Sequence, residues 1–225
     1  MRFLDKVFGR TAPAPATLDA LFALPGAALT LQAATGLRPT GLAAVAYREA
    51  EGAAAAGVRR DVTALLAATN GPQVEPSVDS FGYTWLLLRS PGVSGAAVAV
   101  PEAGTRLDDG AAVDVSGLVT DLHAVNSSLV DAGFGPTLLC STLGFVDPDG
   151  RHLGLVYLFK RGTFYPFAPG PSGPTGATAT GMKGAASGQT RDSAYELQVR
   201  AALGVDLPVE PDLARWFPLW GAPAL

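Results

Sequence analysis

The sequence predicts an α+β fold: a mostly antiparallel sheet with helices packed mainly on one face, in a single domain. Three observations carry this. Leu118, Leu122, Val125 and Leu129 recur at i, i+4, i+7 and i+11, the apolar stripe of a helix that buries one side. Two apolar runs, Thr137–Val146 and His152–Lys160, flank Asp147-Pro148-Asp149-Gly150. Proline presets φ at the second turn position and glycine supplies a positive φ, so these runs close as an antiparallel hairpin. Phe81–Arg89 is apolar on both faces, Tyr83, Trp85 and Leu87 against Thr84, Leu86 and Leu88, as in a strand central to a sheet.

The remaining elements follow in chain order. Phe3, Leu4, Val7 and Phe8 form one face of two helical turns, with Arg2, Lys6 and Arg10 elsewhere, and Ala12–Pro15 ends the pattern as a linker. Residues 1–15 are thus an amphipathic segment and linker, and 16–225 the α+β domain. A short helix runs from a Thr17 cap through Leu18, Leu21 and Phe22 and stops at Pro25-Gly26. Ala28–Ala33 and Leu42–Arg48 read as strands. A helix over 52–68 carries Val58, Val62, Leu65 and Leu66, and Asn70-Gly71-Pro72 ends it.

Ser116 is the expected cap of the striped helix, and Gly133 its stop, with Phe134 tucking back. A last strand is expected at Thr163–Phe167. Ser193-Ala194-Tyr195-Glu196 reads as a capping box opening a helix from Asp192 or Ser193 that ends near Leu203-Gly204, and Trp216, Phe217 and Trp220 bring the tail back onto the domain. Two stretches have loop composition, at about 90–113 and 169–191. The second has Met182 as its only large apolar residue and cannot offset its ordering entropy by burial.

Composition narrows function by exclusion. The 225 residues are 48% hydrophobic with mean hydropathy +0.26, ample for a core. Every candidate apolar run is broken before the roughly 20 residues of a membrane-spanning helix. Met1–Arg10 is too short and too charged for a secretory signal, and one cysteine permits no internal disulfide, so a cytoplasmic location is expected. The net charge of −4 argues against nucleic acid, whose phosphates call for basic surface. Thirteen of the sixteen basic residues are Arg, which together with the abundance of Ala reads as coding bias.

Catalytic residues are scarce. Two histidines and one cysteine have no zinc-site spacing, and no cofactor or small-molecule substrate is suggested. Cys140 with His123 is the one conceivable thiolate pair, but Cys140 sits mid-strand without a cation beside it and reads as a small core hydrophobe. Gly176–Lys183 lacks the strand, the spacing and the Ser/Thr of a phosphate-binding loop. Asp147 and Asp149 are explained as turn formers. Two binding candidates survive. Lys160, Arg161, Phe164, Tyr165 and Phe167 couple adjacent cations to aromatics at the hairpin exit, against the plain alternative that the rings are core. Phe3, Leu4, Val7 and Phe8 are candidates for membrane or partner contact, weak and reversible at ten residues.

Leu18–Pro25, Ser80–Trp85, Asp121–Ser128, Gly133–Pro136, Lys160–Pro169 and Arg215–Pro223 resemble the actinobacterial PspA-associated protein PspAB family. The likeness spans nearly the whole chain outside the loops 91–115 and 169–191, which look longer than the family pattern. It implies an accessory protein of the phage-shock, membrane-stress response, with PspA as expected partner and a membrane metalloprotease of the HtpX type as a second. It transfers no activity to particular residues. The reading is a non-enzymatic adaptor, cytoplasmic or peripheral on the inner face of the membrane. The rivals are a chaperone-like peptide-binding module using the sheet and Lys160–Phe167, and an enzyme acting through Cys140 or His123.

Overall fold

The computed structural model describes residues 18–48, 63–64, 72–91, 93, 113–170, 190–204 and 206–225. The N-terminal segment 1–15, the helix expected over 52–68 (save the helical Thr63 and Ala64) and most of both expected loops lie outside the described residues. In chain order the elements are α1 (Leu24–Thr35), β1 (Arg38–Arg48), β2 (Glu75–Val78), β3 (Tyr83–Arg89), α2 (Val115–Asp131), β4 (Leu138–Val146), β5 (His152–Leu158), β6 (Thr163–Phe167) and α3 (Ser193–Leu203). A 3₁₀ turn, Leu18–Ala23, leads directly into α1. The six strands form one antiparallel sheet in the order β2-β3-β1-β4-β5-β6. This is the α+β class expected.

Strand periodicity divides the buried side chains between two faces. Val45, Tyr47, Leu86, Leu88, Leu143, Phe145, Leu155 and Tyr157 face the helices, where Leu118, Leu122, Val125 and Leu129 of α2 meet them. Leu42, Ala44, Trp85, Leu87, Cys140 and Val156 point the other way. There the C-terminal tail covers them with Trp216, Ala222 and Ala224, so helices lie on one side and irregular chain on the other.

The hairpin turn forms as expected. Gly150 has φ 78°, its N–H donates to Asp147 O, and Asp147 Oδ1 accepts from the N–H groups of Asp149 and Arg151. Asp147 is more than a turn former: it is buried, and its Oδ2 accepts from Arg151 Nε at 2.7 Å and from Tyr195 Oη at 3.2 Å. It therefore pins α3 to the hairpin. Gly133, at φ 90°, ends α2, with its N–H on Val130 O and the Phe134 N–H on Leu129 O. That pair of bonds is a Schellman stop.

Four expectations are corrected. Pro25 does not stop the first helix but stands in the first turn of α1, where its missing N–H costs nothing. Residues 28–33 consequently continue α1 and do not form a strand; Leu24, Ala27, Ala28 and Leu31 are its buried face, in line with Leu21 of the preceding 3₁₀ turn. The N-cap of α2 is Asp114, which accepts from the Gly117 N–H, two residues before the expected Ser116. The Ser193/Glu196 capping box is not formed. Asp192 caps α3 through the Tyr195 N–H, and the Glu196 carboxylate turns inward to accept from the Ala168 N–H and Arg191 Nε.

Candidate interaction surface

The aromatics of the hairpin exit are core residues. Phe164, Tyr165 and Phe167 are at most 1% exposed. Phe164 packs on Tyr157 with centroids 5.0 Å apart, Tyr165 stacks on Trp216 at 6.0 Å, and Phe167 meets Trp220 edge-on at 5.2 Å. Alternation along β6 explains this: Phe164 faces the helical core, and Tyr165 and Phe167 face the tail. Both cations are exposed, and Arg161 also donates to the buried Glu210 at 2.5 Å. The segment proposed from sequence as a contact surface is thus a structural junction, with Lys160 and the partly paired Arg161 its outward groups. The other sequence candidates, Phe3, Leu4, Val7 and Phe8, lie outside the described residues.

Cys140 and His123 are not brought together. Cys140 belongs to the tail-side core, and His123 lies half-buried on α2, beyond the sheet. Burial pushes the Cys140 thiol up to about 12. Among the described residues no group of three His, Cys, Asp or Glu side chains is placed to hold a metal. A cavity of about 180 Å³ on the tail side, lined by Phe167, Pro169, Leu219, Trp220 and Leu225, carries no ionisable side chain.

The surface that stands out lies on the helical layer. The Leu18–Thr35 stretch has mean hydropathy 1.2, enough by length and composition alone for a membrane span, yet only 28% of it is buried. Its core face accounts for Leu21, Leu24, Ala27, Ala28 and Leu31. The remaining hydropathy faces outward: Phe22, Gly26, Leu29 and Ala33, at i, i+4, i+7 and i+11, are all exposed, Phe22 by 51% and Leu29 by 70%. Nothing lies within 4 Å of where a Cβ at Gly26 would stand, so the stripe has a notch between two large side chains. Single exposed apolar residues are ordinary, but a helix-long stripe is a contact signal. The Phe22 ring is held by His123 of α2, centroids 4.8 Å apart.

The stretch that carries the stripe and the α2 helix beside it hold acidic residues alone among Lys, Arg, Asp and Glu. Residues 18–35 and 115–131 contain no Lys or Arg, and hold Asp19, Asp121 and Asp131. Burial, followed by repulsion from Asp114, raises Asp121 from its ordinary value. The ridge itself, Phe22, Gly26, Leu29 and Ala33, carries no charge. Sequence reasoning missed the ridge because Pro25-Gly26 reads equally as a helix stop. The signal that could have found it is the uncharged helical stretch 20–35 on both sides of Pro25, with leucines at 21, 24, 29 and 31.

Comparison with known proteins gives one family. The family described as PspA associated protein B matches residues 1–224. No curated protein and no solved structure matches the chain.

Proposed function

The chain belongs to the PspA associated protein B family, and from that premise we propose that it is a non-enzymatic, cytoplasmic adaptor of a phage-shock-type membrane-stress response that binds PspA through the outward face of α1. The family name itself implies association with PspA. The observation that carries the surface is the uncharged Phe22/Gly26/Leu29/Ala33 stripe on a helix anchored by its opposite face. Such a ridge fits the apolar side of a partner helix. Burial of Cys140 supports the non-enzymatic reading, since its thiol is no nucleophile near neutral pH.

Titration of purified PspA tests the reading. The double variant F22D/L29D is expected to weaken binding at least tenfold, about 1.4 kcal/mol. Both side chains are exposed, so the fold should be nearly as stable as before. Equal affinity rejects the stripe, and no binding by the unaltered protein rejects the adaptor. A chaperone-like peptide-binding module remains the second reading, because the same stripe would serve it. Equal affinity for unrelated amphipathic peptides would favour it. A groove at Lys160–Phe167 would have no open aromatic floor, since its three rings are buried.

Weak contact of Phe3, Leu4, Val7 and Phe8 with an anionic inner membrane face is a separable part of the proposal. In flotation with anionic vesicles, the full chain is expected to float partially and a variant lacking residues 1–15 to stay in solution. A single short amphipathic segment gives only reversible binding. Equal, negligible flotation of both would remove the membrane contact and leave the PspA reading standing.

A further inference from the structure

We propose that the tail segment 211–218 and the hairpin exit form a second docking surface, which takes an acidic, apolar-bearing segment of a protein partner. It goes beyond PspA binding through α1 and does not rest on it. Two guanidiniums converge here on one carboxylate. Arg161 Nε lies 2.5 Å from Glu210 Oε2, and Arg215 Nε lies 4.0 Å from Glu210 Oε1. Arg215 Nε also donates to Asp212 Oδ2 at 2.9 Å. Both side chains are held by Nε alone, and their Nη groups form no hydrogen bond among the described residues. Arg161 is 37% and Arg215 46% exposed, so two planar forks anchored on the same group present their outer ends to solvent. Such forks take a carboxylate in a bidentate manner. The exposed Lys160 adjoins Arg161 in the chain.

The apolar half of the surface comes from the tail. Leu213 and Phe217, two residues to either side of Arg215, are 50% and 57% exposed. Their backbone is pinned. Trp216 between them is buried, with its Nε1 donating to Glu210 O at 3.0 Å, and the Phe217 carbonyl accepts from Tyr165 Oη at 2.8 Å. A segment fixed in this way binds with little ordering cost. Charge selects the occupant. Three cations face two carboxylates, of which Glu210 is buried, on a chain whose net charge is −4. The excess is small, and it is interrupted by the half-exposed Asp212 directly before Leu213. A flat anionic bilayer would press its phosphates against that carboxylate. A peptide can set single carboxylates on the forks and pass it by, which favours a protein segment with Asp or Glu beside Leu or Phe.

Fluorescence anisotropy of a dye-labelled peptide of Glu, Leu and Ala, titrated with the full chain, tests this without PspA. The peptide is expected to bind, and its counterpart with Gln at every Glu to bind at least tenfold more weakly. R215Q and F217S are each expected to weaken binding of the Glu peptide at least fivefold. The Arg215–Asp212 pair is exposed, and the Phe217 carbonyl rather than its ring bonds Tyr165, so both variants should keep the fold. F22S/L29S on α1 is expected to bind the peptide as the unaltered chain does, which separates this surface from the PspA reading. Equal affinity of R215Q, F217S and the unaltered chain overturns the proposal, as does absence of binding. Loss of binding in F22S/L29S overturns it by assigning the peptide to α1. Flotation with phosphatidylglycerol and phosphatidylcholine vesicles that depends on Arg215 and Phe217, without peptide binding, overturns it in favour of a membrane.

Discussion

Replacing Gly144 with valine is expected to cost about 3 kcal/mol and to lower the thermal midpoint by roughly 6–12 °C, as over-packing of a filled site does in a chain of this length. Gly144 and Gly154 are cross-strand partners on β4 and β5, both on the tail side of the sheet. Together they leave a flat hollow that the end of the chain fills. A Cβ at Gly144 would collide with the backbone oxygen of Ala224 and stand 2.6 Å from Thr40 Oγ1. The carbonyl cannot turn aside as a side chain can, so the tail must lift.

Lifting uncovers Ala222 and Ala224, and loosens the path to Trp216, all of them buried in the tail-side core. The matching change at Gly154 separates space from strand chemistry. There the nearest atoms belong to side chains and not to backbone, Cδ2 of Leu225 at 2.7 Å, the far end of a flexible chain, and Cγ2 of the buried Thr142 at 2.9 Å. Gly154→Val is therefore expected to cost about 1 kcal/mol, the lower end of the same over-packing scale. Thermal melts of both variants decide it: equal losses, or none at Gly144, would mean the tail is not seated in this hollow.

Where period and turn chemistry agreed, the sequence was legible. The α2 stripe, the Asp147–Gly150 turn, and strands β3 to β6 all combine an apolar repeat with a stop or turn residue that only one geometry satisfies. Legibility ended where a signal had two physical meanings. Pro25-Gly26 is compatible with a helix stop and with a first helical turn, and the core contacts of Leu24 and Leu31 choose the second. Glu196 is three residues from Ser193, but burial against Ala168 and Arg191 outbids the cap. β2, Glu75-Pro-Ser-Val, has little strand propensity and exists through its register with β3 and the Glu75–Arg89 pair at 2.8 Å. The candidate surface fell in the misread stretch, so the sequence placed the contact on rings that the fold had already used.

Glu210→Ala is expected to cost about 2–3 kcal/mol, the lower end for removing one partner of a buried ion pair because Arg161 keeps part of its hydration. Glu210 is fully buried where the chain returns to the hairpin exit. Its carboxylate accepts from Arg161 Nε, from Thr163 Oγ1 at 2.8 Å and from the Asp212 N–H at 3.2 Å. The backbone on either side closes the sheet edge, the Phe164 N–H donating to Pro208 O and the Glu210 N–H to Phe164 O. Removing the carboxylate strands these donors and loosens the segment that covers β6.

The pH dependence distinguishes this carboxylate from the other buried one. Burial alone would raise Glu210, but the bonds from Arg161, Thr163 and Asp212 outweigh it and hold the group below its ordinary 4.5. Its contribution is therefore present above about pH 4.5 and is lost as pH falls through the lowered folded value. Glu196 has the opposite sign: burial outweighs the Arg191 and Ala168 bonds and raises it. Its contribution is present below about pH 4.5 and declines as pH rises through the raised folded value. Denaturant melts of E210Q and E196Q at pH 4 and pH 7 read this directly. The deficit of E210Q is expected to grow toward pH 7 and that of E196Q to shrink. Parallel trends would show that Arg191 holds Glu196 ionised, and would make both junctions ordinary ion pairs tying the tail and α3 to the exit of the hairpin.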